Sequence, residues 1–527
     1  MSAEGARYPS TADRVLAAAR RLWPVVLLLT LWEVAGLMNW VAGGALPSPS
    51  EIAYRYWLDW GDYPRHIRAT LIASGAGFLI GNAIAVAAGL MFVLVPVTGR
   101  IARGLNIAIF ALPPIAIAPI LALTLEGMAP RVVLATLGVY FVTMQATVTG
   151  LQQFDSRAGD LVRAYGGGDA AVMRFVQIRG AIPAILSGFR VAAPNAVLGA
   201  ILAEFGGGGR WGLGTYLLGS LGRGDPARLW GIGLTATAIS GLSYAVFAIL
   251  SARMLGRTRA VNLNPAAPPS EARQPLNIPV MAASIALPFV LWWVTLWALQ
   301  APRMIGKTPW DVIEYLFFSA QSAQAQERLI AALMQTLPIT LAGMAAGMAF
   351  AFALAVSSRL TPGFTRAFLP VALVTQTMPL VALTPLLVLI LGRGTAVTLW
   401  ITISVTFFPA YVMIAQGLAQ VPRAALELPR AYGATAWREL RLVAIPASAP
   451  WAMAAVRLTA PRALLGVMIA EWLATGRGLG NLLNQSRGYM DFNMIWTVAL
   501  ASVLIAVAFY QLALWIERLI MIRMGGG

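Results

Sequence analysis

The chain of 527 residues contains no cysteine and a single histidine, His66. The first absence excludes disulfides, thiolate metal sites and cysteine nucleophiles. The second leaves no partner cluster from which imidazole ligands or a histidine base could be drawn. Charge is scarce too, at 11% of residues, and acids are the rarer sign: 21 Asp and Glu stand against 38 Lys and Arg, a formal net charge of +17. With 59% hydrophobic residues and a mean hydropathy of +0.73, the composition excludes a soluble enzyme. Neither a catalytic residue nor a metal site is expected.

What is abundant is apolar sequence in runs of about 18 residues or more, the length that crosses a bilayer as a helix. A helix closes its backbone hydrogen bonds on itself, so without strand-and-turn spacing helices are expected over a barrel. Apolar segments fall near 23–41, 69–96, 104–125, 131–151, 181–204 and 229–252. A proline-rich polar break follows, and then six more near 278–300, 329–357, 366–391, 395–418, 448–473 and 494–517. The N-terminal stretch from Trp23 to Val41 is too long for a signal h-region and reads as a retained first span. The expected fold is an all-α polytopic membrane protein of about 12 transmembrane helices. Its parts are a basic cytoplasmic lead (1–22), a first repeat (23–252), a cytoplasmic linker (253–276) and a second repeat (277–527).

The positive charge supports that layout and needs no nucleic-acid partner. With the N-terminus inside, 22 of the 38 Lys and Arg fall in cytoplasmic regions, 13 in outer ones and three within spans, as the positive-inside rule requires. Six spans per half return the chain to the side it left, so the halves are parallel repeats about an axis along the membrane normal. Residues 160–205 align with 427–472 without a gap at 17 identities in 46 positions, including Arg190/Arg457, Pro194/Pro461, Gly199/Gly466 and Glu204/Glu471. Shared greasiness would not match charged and glycine positions in this way. The chain reads as a duplication followed by fusion.

Each repeat carries one polar cytoplasmic stretch, 154–179 and 421–446, in which Arg163-Ala164-Tyr165-Gly166 recurs as Arg430-Ala431-Tyr432-Gly433. The spacing predicts two short amphipathic helices broken at the glycine, with Pro429 weakening the first piece. Pro450, and Pro183 in the other half, should sit in the first turn of the span that follows. Such a helix could simply rest on anionic headgroups; two copies with Tyr-Gly at each tip favour a dock for a soluble partner.

The pattern acid–x5–Gly–x9–aliphatic–x–Ile–Pro resembles the "EAA" loop of binding-protein-dependent ABC transporter permeases, so the chain looks like two type I importer permeases fused in tandem. The stretches SGFRVAAPNAVLGAILAEF (187–205) and AAVRLTAPRALLGVMIAEW (454–472), each followed by Gly-Leu-Gly, are similar to the nitrate/sulfonate/taurine branch, as are LWEVAG (31–36) and LPSPSEI (46–52). The resemblance implies coupling helices seated on two cytoplasmic ATPase subunits. Asp160, Ala164, Tyr165, Gly166 and Gly167 would meet one, and Glu427, Ala431, Tyr432, Gly433 and Ala434 the other. It also implies ATP and Mg in those partners with no cofactor on this chain, and a periplasmic or lipid-anchored solute-binding protein. The cargo would be a small organic or inorganic anion such as a sulfonate or nitrate, although relatives of this type also move neutral heterocycles. The setting would be the bacterial cytoplasmic (inner) membrane, in contact with lipid, with both termini cytoplasmic. Three departures from the family pattern make the two docks unequal: Asp160 for glutamate, Leu428-Pro429 for the alanine pair, and Arg179 where Pro446 stands in the other copy.

Ionisable groups inside spans are costly and therefore candidates for function. Glu204 and Glu471 near the outer ends, and Arg190 and Arg457 about three turns inward, fit either a translocation pathway or salt bridges within the bundle. Arg462, whose counterpart is Asn195, would suit a path for anions. Gln376 and Thr377, among prolines that kink span 9, could line a cavity or serve as packing polar groups. Glu33 reads as structural. Gly207-x-Gly209-x-x-Gly212 mimics a dinucleotide fingerprint and Gly306-Lys307-Thr308 the end of a phosphate loop, but neither has the required strand or leading glycine. The rival expectation is an ion-coupled secondary transporter of six-plus-six architecture. A polytopic membrane enzyme would need a catalytic cluster that the sequence does not offer.

Overall fold

Helices follow one another along the whole described chain, and the computed structural model describes residues 11–41, 44–207, 209–255, 277–361 and 380–523. Among these residues every regular element is helical. Among the described residues nine helices are long and apolar enough to cross a membrane, beginning with Tyr63–Leu94, Ala129–Gln152, Asp169–Phe205 and Pro226–Met254 in the first half. Ile278–Ala298, Ser322–Leu360, Thr395–Ala419, Ala449–Thr475 and Phe492–Arg523 follow in the second. A further apolar pair, Arg103–Ala111 and Pro114–Thr124, meets at 97°, the geometry of a broken span or a re-entrant loop. Pro113 and Pro114 supply no N–H there, and their rings exclude a straight helix. Two shorter apolar helices, Val25–Leu37 and Leu380–Leu391, stand where the first and ninth spans are expected. The rest of the ninth expected span, and most of the linker, lie outside the described residues.

The repeats are built on the same close approach. In the first half Gly77 and Gly81 of Tyr63–Leu94 face Ala129–Gln152, and a Cβ at Gly81 would come 3.0 Å from the Thr136 carbonyl oxygen. In the second, Gly343 and Gly347 of Ser322–Leu360 face Thr402 and Thr406. A Gly-x-x-x-Gly ridge lets two backbones approach where lipid offers no hydrophobic drive to associate. Each repeat also pins its entry helix by tryptophan. Trp32 lies 5.5 Å from Trp230, whose indole N–H donates to the Ala45 carbonyl; Trp292 stacks 5.1 Å from Trp496, which donates to the Ile305 carbonyl. Glu33 accepts the Ser50 N–H at 3.0 Å, a local brace that agrees with its structural reading.

The halves interlock. Helix Ile278–Ala298 opens the second repeat but packs on Pro96–Ile101 and Arg103–Ala111 of the first, where Gly104 N–H donates to Ser284 Oγ at 2.8 Å. Pro114–Thr124 packs on Ala449–Ala470, Gly478–Gly488 and Phe492–Arg523. In return, Leu380–Leu391 packs on Ile178–Phe205, Leu213–Leu221 and Pro226–Leu255. One apolar core therefore runs across the junction, with Ile115 and Ile201 from one half and Leu464 and Met468 from the other. Outward faces remain apolar, with Leu79, Leu242 and Met334 each about two-thirds exposed or more; exposed grease on that scale belongs in lipid.

Candidate functional site

Both polar stretches, 154–179 and 421–446, fold as their spacing dictates. In the first, Ser156–Ala164 is followed by a turn and Asp169–Val172; in the second, Arg423–Ala431 is followed by a turn and Ala436–Glu439. The turn residues Gly166 (φ +82°) and Gly433 (φ +72°) occupy the left-handed region that favours glycine. Pro429 does not break its helix, which continues to Ala431. The tips carry Tyr165 and Tyr432, 86% and 85% exposed. Asp160, Ala164 and Gly166 are exposed with Gly167 half-buried; Glu427, Ala431 and Gly433 are exposed with Ala434 half-buried. The ten expected docking residues thus form two matching exposed faces, each with a large aromatic standing free of the fold.

The way out of the loops differs between the halves. Both pass through a π-helical turn, Met173–Gln177 and Leu440–Ala444. In the first half the helix then runs unbroken from Ile178 to Phe205, so Pro183 lies inside it and not in its first turn. Arg179 has an N–H to give at the point where Pro446 has none, and the continuous helix follows. In the second half Ile445–Ala447 ends at Ser448, and Ala449–Ala470 begins anew with Pro450 in its first turn, as expected.

Glu204 and Glu471 are buried, 1% and 3% exposed, and do the same thing twice. Glu204 accepts the Thr70 hydroxyl at 2.8 Å and the Gly214 N–H at 2.9 Å, while Thr70 Oγ1 accepts the Leu213 N–H at 2.9 Å. Glu471 accepts the Thr336 hydroxyl at 2.7 Å and the Gly480 N–H at 2.9 Å, and Thr336 Oγ1 accepts the Leu479 N–H at 2.9 Å. Each carboxyl clasps a Gly-Leu-Gly turn to the C-terminal end of its helix. Thr70 and Thr336 were not singled out from the sequence. Their matching places upstream of each repeat's aligned block are the signal that would have found them.

The arginines divide. Arg457 forms a buried ion pair with Glu517 at 3.1 Å, whereas Arg190 has no such partner among the described residues and lies over the Tyr244 ring at 4.4 Å. Arg462 and Asn195 are half-buried on the equivalent helices. Arg462 forms no ion pair among the described residues. Gln376 and Thr377 lie outside the described residues. His66 is held in the fold: its Nδ1 lies 2.8 Å from the Gly212 carbonyl oxygen and its ring stacks on Tyr216 at 4.4 Å.

Two charged clusters escaped the sequence reading. In one, Asp59 joins Arg228 and Arg55. Burial pushes its carboxyl up, but the bond and charge of Arg228, with those of Arg55, outweigh this and hold it below the usual range. In the 421–446 loop, Arg430 donates twice to Glu439, at 2.7 and 3.0 Å, with Arg359 at 3.9 Å. The Arg430 bond lowers the Glu439 carboxyl, and the same bond raises the guanidinium.

Comparison with known proteins agrees with the repeat. Residues 77–259 and 343–525 each match the family described as binding-protein-dependent transport system inner membrane component. Among relatives, the riboflavin transport system permease protein RibX of Chloroflexus aurantiacus is 32% identical over 155 residues, 29% of this chain and 58% of that protein. A "Probable ABC transporter permease protein" of Haemophilus influenzae is 27% identical over 241 residues, 45% of this chain and 97% of its own length. The formylaminopyrimidine transport permease protein ThiX of Halalkalibacterium halodurans is 28% identical over 221 residues, 41% of this chain and 88% of that protein. One permease of ordinary length therefore spans less than half of this polypeptide, and the family pattern occurs twice along it. The chain belongs to the family of binding-protein-dependent transport system inner membrane components, as two such units in tandem.

Proposed function

We propose that this chain is the complete transmembrane pathway of an ATP-driven importer, with the two permease units that such a system needs carried on one polypeptide. The observation that carries this reading is the pair of exposed cytoplasmic faces at Tyr165-Gly166 and Tyr432-Gly433, set at equal sequence spacing and each joined to a membrane helix. Two ATPase subunits dock there from the cytoplasm, bringing ATP and Mg, and this chain hydrolyses nothing itself. A periplasmic or lipid-anchored binding protein delivers the solute to the outer face, and the chain sits in the bacterial cytoplasmic membrane with both termini inside. ATP binds the closed ATPase dimer more tightly than the open one, and that difference rocks the halves between outward and inward states.

The cargo is a small solute. An anion is favoured by Arg462, a half-buried cation on an inner helix with no ion pair among the described residues. A second reading follows from the relatives, whose names specify riboflavin and formylaminopyrimidine: the cargo is a heterocycle, and Arg462 serves packing or a polar edge of the ring.

The test is co-purification from native membranes. An ATPase subunit should accompany the wild-type chain and be lost when both Gly166→Trp and Gly433→Trp are introduced, since a large side chain at a left-handed turn destroys the tip. Ion-driven uptake in vesicles that contain no ATPase would overturn the proposal in favour of a secondary transporter.

A further inference from the structure

The two docks share their outline but not their mounting. In the second loop Leu426 is 4% exposed and Leu440 2%; both are buried with Val421, Leu418, Ile414 and Tyr411 in a core that includes the cytoplasmic ends of Ser322–Leu360 and Thr395–Ala419. The residue matching Leu426 in the first loop is Gly159, which has no side chain to insert. Its neighbours there are the Phe154 ring and Val172. The residue matching Leu440 is Met173, which is half-buried.

The polar contacts differ in the same direction. Arg430 is tied to Glu439, only 8% exposed, on the far side of the turn, and Arg359 at the end of Ser322–Leu360 reaches the same carboxylate. The loop is thereby joined both to itself and to a membrane helix. At the matching places the first loop has Val172 for Glu439, and Tyr63–Leu94 carries Phe92 and Val93 near its end. Arg163 instead meets Asp160 at 3.3 Å and Asp169 at 3.2 Å, carboxylates exposed to 72% and 93% that belong to the loop alone. Exposed pairs of this kind contribute little.

The backbone completes the contrast. The first turn is Gly166-Gly167-Gly168, three residues with the largest conformational freedom to lose. The second is Gly433-Ala434-Thr435, and Thr435 caps the next helix by accepting the Arg438 N–H at 3.4 Å. Pro429 also stands where the first loop has Val162, and a proline already in helical conformation restricts the unfolded chain.

We propose that the 421–446 loop is a preformed dock and that the 154–179 loop orders only when its ATPase subunit arrives, so that the two subunits engage in a fixed order, second loop first. The inference rests on the docking function proposed above. Preorganisation matters because a dock that must order on contact spends part of its interaction energy on doing so.

The experiment is amide hydrogen exchange of the full chain in lipid nanodiscs, first alone and then as the complex that co-purifies with its ATPase. Alone, amides of 156–172 should exchange at least about tenfold faster than those of 423–439, the factor that roughly 1.4 kcal/mol carries. On complex formation the first loop should gain the greater protection. Glu439→Gln should bring the second loop toward the exchange of the first. Equal exchange of the two loops in the free chain overturns the proposal, and so does equal gain on binding. Failure of the docking reading is seen separately and earlier, as the absence of any ATPase in the purified complex. Should Glu439→Gln fold poorly, Gly168→Thr, which adds a cap to the first loop, slows exchange of 156–172 if the proposal holds and leaves it unchanged if it does not.

Discussion

Thr336 Oγ1 stands between Glu471 and the chain that the acid holds, donating to the carboxylate at 2.7 Å and accepting the Leu479 N–H at 2.9 Å. Thr336→Val keeps the shape and removes both bonds in a site from which water is excluded. Each unmade bond costs about 1–3 kcal/mol, so the purified protein in detergent should lose thermal stability clearly, while Thr336→Ser keeps most of it. Thr70→Val should behave alike in the first half. If Thr336→Val melts with the wild type, the clasp contributes nothing.

The ion pair of Arg457 and Glu517, 10% and 9% exposed, makes a different prediction. Arg457→Met leaves a carboxylate buried without its cation and should destabilise by about 3–5 kcal/mol, as should Glu517→Leu. The double variant restores neutrality and should recover most of that loss, which equilibrium unfolding of the four proteins would measure. Additive losses would show that the two side chains do not act as a pair.

Acid should loosen one loop and spare the other. The Glu439 carboxyl is held below its ordinary value of 4.5 by Arg430. A depressed carboxyl stabilises the folded form above its unfolded value, and that contribution is lost as pH falls through the folded one. A spin label at Tyr432→Cys, unique because the chain has no other cysteine, should keep one mobility from pH 8 down to about 4.5. Below that it should become freer. In Glu439→Gln the freer spectrum should be present throughout.

Arg462→Ala should lower uptake of the solute that the binding protein delivers by about tenfold, equivalent to roughly 1.4 kcal/mol of lost interaction, without a matching loss of stability. Arg462→Lys keeps the charge and should retain part of the rate. Unchanged uptake and solute preference in Arg462→Ala would remove the anion reading and leave the heterocycle.

Much of this architecture was legible because the repeat writes it twice. Helix positions and the broken helices around Gly166 and Gly433 follow from apolar length and glycine acting locally. Glu204 and Glu471 were legible as special but not as what they are. A buried acid is equally conspicuous in a pathway, an ion pair or a hydrogen-bonded clasp, and only the positions of Thr70 and Thr336, more than 130 residues away, decide between them. The same holds for Glu439, an ordinary acid in a polar stretch until Arg430 and Arg359 close on it. Pro183 was misplaced because the first repeat enters its membrane helix earlier than the second, an effect of Arg179 standing where Pro446 does.

The crossing of Ile278–Ala298 onto the opposite half bears on how the two halves change over generations. Separate permease genes must tolerate every pairing their products can form, like with like included. Here each half meets one unlike partner, synthesised with it and wrapped by it. A glycine at 159 never has to work opposite another such loop, nor a leucine at 426 opposite its own kind. Fusion removes the selection for self-compatibility, and the two faces of one ancestral motif become free to specialise.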